Sequence, residues 1–123
     1  MTAKSPPEGK HVFTVRELVR SMQREIRETA DLQPDRAAEL LNRLTALLGN
    51  INDEIREADA IYAGVLLKHL ESEEAANRAK IRAETTTEYR RKREARDIKE
   101  LAMELIRSLK YYLRSKEEEL RLT

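Results

Sequence analysis

From Ala37 onward the apolar residues Ala37, Leu41, Leu44, Leu48, Ile51, Ile55, Ala58, Tyr62 and Val65 fall at alternating spacings of four and three. That 3.5-residue period keeps one column of side chains on one side of an α-helix, whereas a strand would turn every second residue to the same face. Leu40, Leu47 and Ile61 lie together on one flank of the seam and Leu66 on the other. The apolar face is therefore wider than a two-stranded zipper needs, and it predicts a bundle of three or more helices.

A second seam of the same kind runs through Ala95, Ile98, Ala102, Leu105, Leu109 and Tyr112, flanked by Leu101, Ile106 and Leu113. Between the two seams, Thr85-Thr86-Thr87 forms a β-branched cluster, and Thr85 with Glu88 has the T-x-x-E spacing of a capping box. A turn is expected there, with one helix over residues 34–84 and another over 88–121. Gly49 is a common stop signal, but the seam passes through it without a change of phase, so the first of these helices reads as continuous. Past Leu70 the seam thins to Ala75, Ala76, Ala79 and Ala83, which fits either a close helix approach or a solvated end.

Upstream, Thr14 and Glu17 make a capping box, and Phe13 and Leu18 occupy the positions of a hydrophobic staple. They open a helix over residues 15–30 whose Val15, Leu18, Val19, Met22 and Ile26 share one face. Residues 31–33 are a tight connection, and Pro34 starts the next helix, because its missing N–H costs nothing in a first turn. Residues 1–12 carry no periodicity and read as a flexible tail. The expected fold is all-α: a long antiparallel helical hairpin, coiled-coil-like, plus a shorter N-terminal helix that packs across it or swaps onto a partner subunit, with residues 13–123 forming one domain.

Composition narrows the function classes. In 123 residues there are 38% charged side chains, three Gly, three Pro, four Tyr, one Phe and no Cys. Disulfides, thiolate metal sites and cysteine nucleophiles are excluded. The 24 basic and 23 acidic residues nearly cancel, so no overall field draws the chain onto a polyanion, and any such binding must come from local clusters. No segment approaches the ~18 apolar residues of a membrane span, and a cytoplasmic location without membrane partners is the expectation. A small, thin helical domain buries a modest fraction of its surface, which favours a homo-oligomer.

The strongest local cluster is basic: Arg78, Lys80 and Arg82 before the threonines, and Arg90, Arg91, Lys92, Arg93 and Arg96 after them. Such a group can hold a phosphate backbone by counterion release. It can equally be a solvated helix face, because Glu84, Glu88, Glu94, Asp97 and Glu100 are interleaved at ion-pairing distances along the helix. Tyr89 could stack on a base beside it, whereas Tyr62, Tyr111 and Tyr112 read as packing residues.

His69 and Glu73 have an i,i+4 spacing, but two ligands do not make a metal centre. The carboxylates Asp53, Glu54, Glu57 and Asp59, and Glu71, Glu73 and Glu74, lie on charged helix and read as solvated. With no glycine-rich phosphate loop, nucleophile elbow or Ser/His/Asp constellation, the chain reads as non-enzymatic and without a cofactor.

The stretch from Ala79 to Arg90 (AKIRAETTTEYR), followed by Glu104 to Leu113 (ELIRSLKYYL), resembles small helical proteins encoded by bacteriophages and prophages. The resemblance spans roughly Leu32 to Leu122 and consists of a long heptad helix, a threonine-containing turn and a charged closing helix. It implies an accessory protein from early regions near replication and recombination genes, and it carries over no site residue. The function expected is therefore binding of a protein partner. A nucleic-acid-binding accessory protein using residues 78–96 and a virion assembly or scaffolding component stand as alternatives.

Overall fold

The structure is a computed structural model, and residues 14–72 and 75–122 are described here. Among them the chain forms four helices and no strand: α1 (Val15–Glu28), α2 (Pro34–Ser72), α3 (Ala76–Ala83) and α4 (Thr87–Leu122). The fold is all-α, and its framework is the antiparallel packing of the two long helices α2 and α4.

The start of α1 follows from its sequence. The Thr14 hydroxyl accepts the Glu17 amide at 3.1 Å, and the Glu17 carboxylate accepts the Thr14 amide at 2.9 Å, so two orphan donors of the first turn are satisfied. Phe13, the other half of the expected staple, lies outside the described residues, as does the expected tail. The helix ends two residues earlier than the periodicity suggests, where Thr29 turns extended and its amide closes onto the Glu25 carbonyl.

α2 begins at Pro34 and runs through Gly49 without interruption. It does not run to residue 84. The helix stops at Ser72, whose hydroxyl donates to the His69 carbonyl, and helical structure resumes at Ala76 after an extended Ala75. The reason lies in what remains to be buried. A straight continuation would leave Ala79 and Ala83 in water, whereas α3 packs back against α2 and buries both completely. Ala75 and Ala76 stay exposed, so of the two readings of the alanine stretch the close approach holds for its second half.

The turn into α4 is built by threonine, one residue later than expected. Thr86, not Thr85, is the cap: its Oγ1 accepts the Tyr89 amide at 3.2 Å and donates to the Ala83 carbonyl at 2.6 Å. Thr85 instead donates to the Arg82 carbonyl at 2.7 Å, closing the end of α3.

α1 lies along one face of the hairpin and covers only half its length. In that half the core is Leu and Ile: Leu40, Leu44 and Ile51 of α2 meet Ile98, Leu105, Ile106 and Leu109 of α4, with Val19 and Met22 of α1 closing over them. Leu40, which the seam places on a flank, is fully buried, while the seam residues Leu41, Leu48 and Ile55 are half-buried against the core. The presence of α1 on the Leu40 flank rotates the buried stripe toward it. Tyr112 is half-buried and its hydroxyl donates to the Leu32 carbonyl, pinning the α1–α2 connection to α4.

Beyond α1 the bundle is α2 against the returning arm of α3 and α4, one layer on each side, and the buried residues change to Ala58, Ala79, Ala83 and Ala95 around a single large ring, Tyr62. With no third helix to cover bulky side chains, only small ones allow the backbones close enough to exclude water. Val65 stays half-buried there.

Two substitutions separate packing from propensity. Leu40→Ala is expected to lower unfolding free energy by about 2–5 kcal/mol, because it leaves a cavity between three helices. Gly49→Ala is expected to raise it by roughly 0.5–1 kcal/mol, since a Cβ at Gly49 meets nothing within 4 Å and the helix gains propensity. Urea unfolding followed by circular dichroism checks both, and a destabilising Gly49→Ala would show that the helix needs a bend there.

Candidate interaction surfaces

The eight basic residues that bracket the threonine turn are not gathered on one face. Residues 90–93 advance by 100° each around α4, so the four side chains point in four directions. Arg91 faces α2, where its guanidinium donates to both oxygens of Glu54 at 2.7 Å and lies 3.3 Å from Glu57. Arg96 pairs with Asp59 at 2.6 Å. Lys92 sits 4.7 Å above the Tyr62 ring, and Arg93 lies over the Tyr89 ring while donating to its hydroxyl at 3.4 Å.

Four of the eight therefore stitch or cover the two-helix half of the hairpin. Tyr89, a candidate for base stacking, packs instead on Tyr62 with ring centroids 5.2 Å apart. Burial pushes the Tyr62 phenol up, reinforced by Coulomb repulsion from Glu84 and from the Tyr89 hydroxyl when ionised. Arg78, Lys80 and Arg90 are exposed and make no ion pair with another described residue. Arg82, also exposed, is engaged.

The acidic cluster on α2 is the other half of the same network. Asp53 pairs with Arg56 along the helix, while Glu54, Glu57 and Asp59 reach across to α4. Asp59 keeps one oxygen buried without a partner. His69 is half-buried on α2, and Glu73 lies outside the described residues. Among the described residues no three His, Asp or Glu side chains cluster as metal ligands would, and no helix is long and apolar enough to cross a membrane.

Several clefts border the bundle, and two of them lie between α2 and α4. One, of about 500 Å³, opens where α1 begins, floored by Ile51, Ala95 and Ile98 and rimmed by the Arg91–Glu54 pair and by Arg16, whose guanidinium meets Glu94 at 2.8 Å. Its charged groups Arg16, Glu54, Arg91 and Glu94 are all engaged in ion pairs. The other, of about 430 Å³, lies on the hairpin face opposite α1, between Asn52 and Ile55 of α2 and Arg96 and Lys99 of α4.

That second face was not singled out by the sequence reading, although its signal is there. Lys92 and Lys99 are seven residues apart, as are Arg96, Met103 and Lys110 in turn, and Arg107 and Arg114. The spacing sets a basic edge along α4 beside the second seam. The α1-facing edge of α4 is acidic by contrast: Glu94 and Asp97 face Arg16, Arg20 and Arg24. The α2 rim across from the basic edge carries no charge from Ala38 through Leu41, Thr45, Leu48 and Asn52 to Ile55.

The cross-helix pairs make stability depend on acid. Arg91 and Arg36 hold the carboxyls of Glu54 and Glu25 below the usual carboxylate range, chiefly through the hydrogen bonds they donate, with Coulomb attraction adding and partial burial opposing. A carboxylate whose folded pKa is depressed stabilises the fold above its unfolded value of about 4.3, and that contribution is lost as pH falls through the lower folded value. Thermal unfolding is expected to shift down between about pH 4.5 and pH 3 in the parent, and less so in the double variant Arg36→Met/Arg91→Met. Equal acid sensitivity of the two would show that the pairs are not coupled to folding.

Comparison of the chain with protein-family models, with curated proteins and with solved structures gives no match.

Proposed function

We propose that the chain is a non-enzymatic interaction module, an accessory protein that binds a partner protein through an exposed face of its hairpin, in the cytoplasm and in the setting of phage DNA replication or recombination. The observation that carries this reading is the uneven coverage of the hairpin. α1 closes one face, while on the other Leu41, Leu48 and Ile55 remain half-buried and Met103 is 40% exposed, with no further helix over them among the described residues. Apolar side chains left together at a surface are one mark of a protein–protein contact.

A nucleic-acid reading draws on Arg78, Lys80 and Arg90, which are exposed beside the threonine turn and make no ion pair with another described residue. It is the weaker reading, because Arg91 and Arg96 are spent on α2 carboxylates and the cluster spreads around the helix.

Cross-linking the tagged chain in its host, followed by nuclease digestion before purification, is expected to leave one protein partner attached. Loss of all bound material on digestion, or no attached protein at all, would overturn the module reading. Fluorescence anisotropy with duplex and single-stranded DNA at two salt concentrations is expected to show no salt-dependent binding at micromolar protein. Binding whose salt slope drops in Arg78→Ala/Lys80→Ala/Arg90→Ala would transfer the function to the nucleic-acid reading.

A further inference from the structure

We infer that the hairpin face opposite α1 is a groove for one amphipathic α-helix of a partner protein, with an apolar stripe seated on Leu41, Leu48, Ile55 and Met103 and an acidic edge lying along Lys99, Lys110 and Arg114. The inference rests on the reading of the chain as a partner-binding module and gives that partner its chemistry.

The shape of the site comes from the bundle. α2 and α4 lie side by side with α1 on one face only, so the vacant face is where a fourth helix of a bundle would lie. Leu41, Leu48 and Ile55 are spaced by seven, which sets them in one column along α2. They touch the core with one side and leave the other open. Met103 of α4, 40% exposed, stands on the same face. From Leu41 to Ile55 the column is about 21 Å long at 1.5 Å per residue, the length of four helical turns, and a helix laid in such a groove inserts a residue at each i, i+3/i+4, i+7 position. Methionine suits the role, because its unbranched side chain adapts to the residue it meets.

The charge pattern selects among occupants. The α4 edge of the groove is predominantly cationic, with Glu100 the one acid lining the cleft beside Lys99, and Lys99, Lys110 and Arg114 make no ion pair with another described residue. The α2 edge is neutral from Ala38 to Ile55, and the next residue, Arg56, adds a further cation to the cleft. A second copy of this chain packed face to face would set one predominantly cationic edge beside another, and like charges across an interface suppress association. A phosphate backbone would satisfy the cations but leave the apolar column against a polyanion, where leucine and methionine gain nothing. An acidic amphipathic helix answers both features at once.

The probe for the test is a fluorescein-labelled 20-residue peptide with leucines at heptad a and d positions and glutamates along one edge. Its partner in control is the same peptide with lysine in place of glutamate. Anisotropy is expected to report micromolar binding of the acidic peptide that weakens as salt rises from about 50 to about 300 mM, and no binding of the lysine form. In Lys99→Glu/Lys110→Glu/Arg114→Glu the affinity is expected to fall about tenfold or more, with the thermal melt showing that the variant still folds. Met103→Glu, a single change at an exposed position, is expected to weaken binding as well and keeps the test decisive if the triple variant is unstable.

No binding of the acidic peptide, equal affinity for parent and variants, or equal affinity for both peptides would overturn the groove. So would a dimer of the chain in light scattering that Met103→Glu dissociates, which assigns the face to a second copy, or displacement of the peptide by duplex DNA, which assigns it to nucleic acid. A nuclease-resistant partner captured by the intact chain and retained by the triple variant would sink this site while leaving the module reading standing.

Discussion

Everything in this molecule depends on the lengthwise contact between two long helices, in which Leu44 and Ile51 of α2 are buried with Ile98, Leu105 and Leu109 of α4. Each fully buried aliphatic side chain contributes on the order of 1.5–3 kcal/mol relative to exposure, and no other contact in the fold gathers as many. The ion pairs around the contact are partly exposed on both sides and serve mainly to fix register. Arg91 with Glu54 and Arg96 with Asp59 set the two helices at one rotation, so that the apolar columns meet instead of sliding past one another.

Side-chain size along the contact then decides how many helices it supports. Where α1 is present, the interior holds leucine, isoleucine and methionine, and where α1 ends it holds alanine with Tyr62. The two halves solve the same problem differently: one covers bulky groups with a third helix, the other brings backbones together over small ones. Tyr62 is the exception that the two-helix half must shield, and Tyr89 and Lys92 of α4 do so from above.

Much of the architecture was legible in the residues because it rests on local rules. The Thr14–Glu17 box and the start at Pro34 are set by short-range spacing and reappear in place, and the two heptad columns supply the packed faces of α2 and α4, the first of them rotated toward Leu40. Three features were not legible, each for a nonlocal reason. The break after Ser72 depends on Ala79 and Ala83 finding α2, which no local signal encodes. Thr86 and not Thr85 is the cap because both hydroxyls bond back to the end of α3 and only that of Thr86 also lies within reach of an amide in the first turn of α4. Leu40 displaces Leu41 from the deepest position because α1 chooses that flank. The spread of the basic cluster has a related cause: adjacency in the chain concentrates charge on paper, whereas the helix distributes it in space. The groove opposite α1 was readable in principle, since its cations recur at seven-residue intervals, but only the position of α1 shows which edge is left uncovered.

The bond from Tyr112 to the Leu32 carbonyl spans 80 residues, whereas the Arg91–Glu54 pair nearer the turn spans 37. Loop-closure entropy grows only with the logarithm of that separation, and one doubling costs about 0.6 kcal/mol, less than a single buried leucine returns. Chain distance is thus a poor guide to where the stability resides. The ends of the hairpin farthest from its turn hold the richest apolar surface, so the costliest closures in chain entropy are also the ones most fully offset by burial.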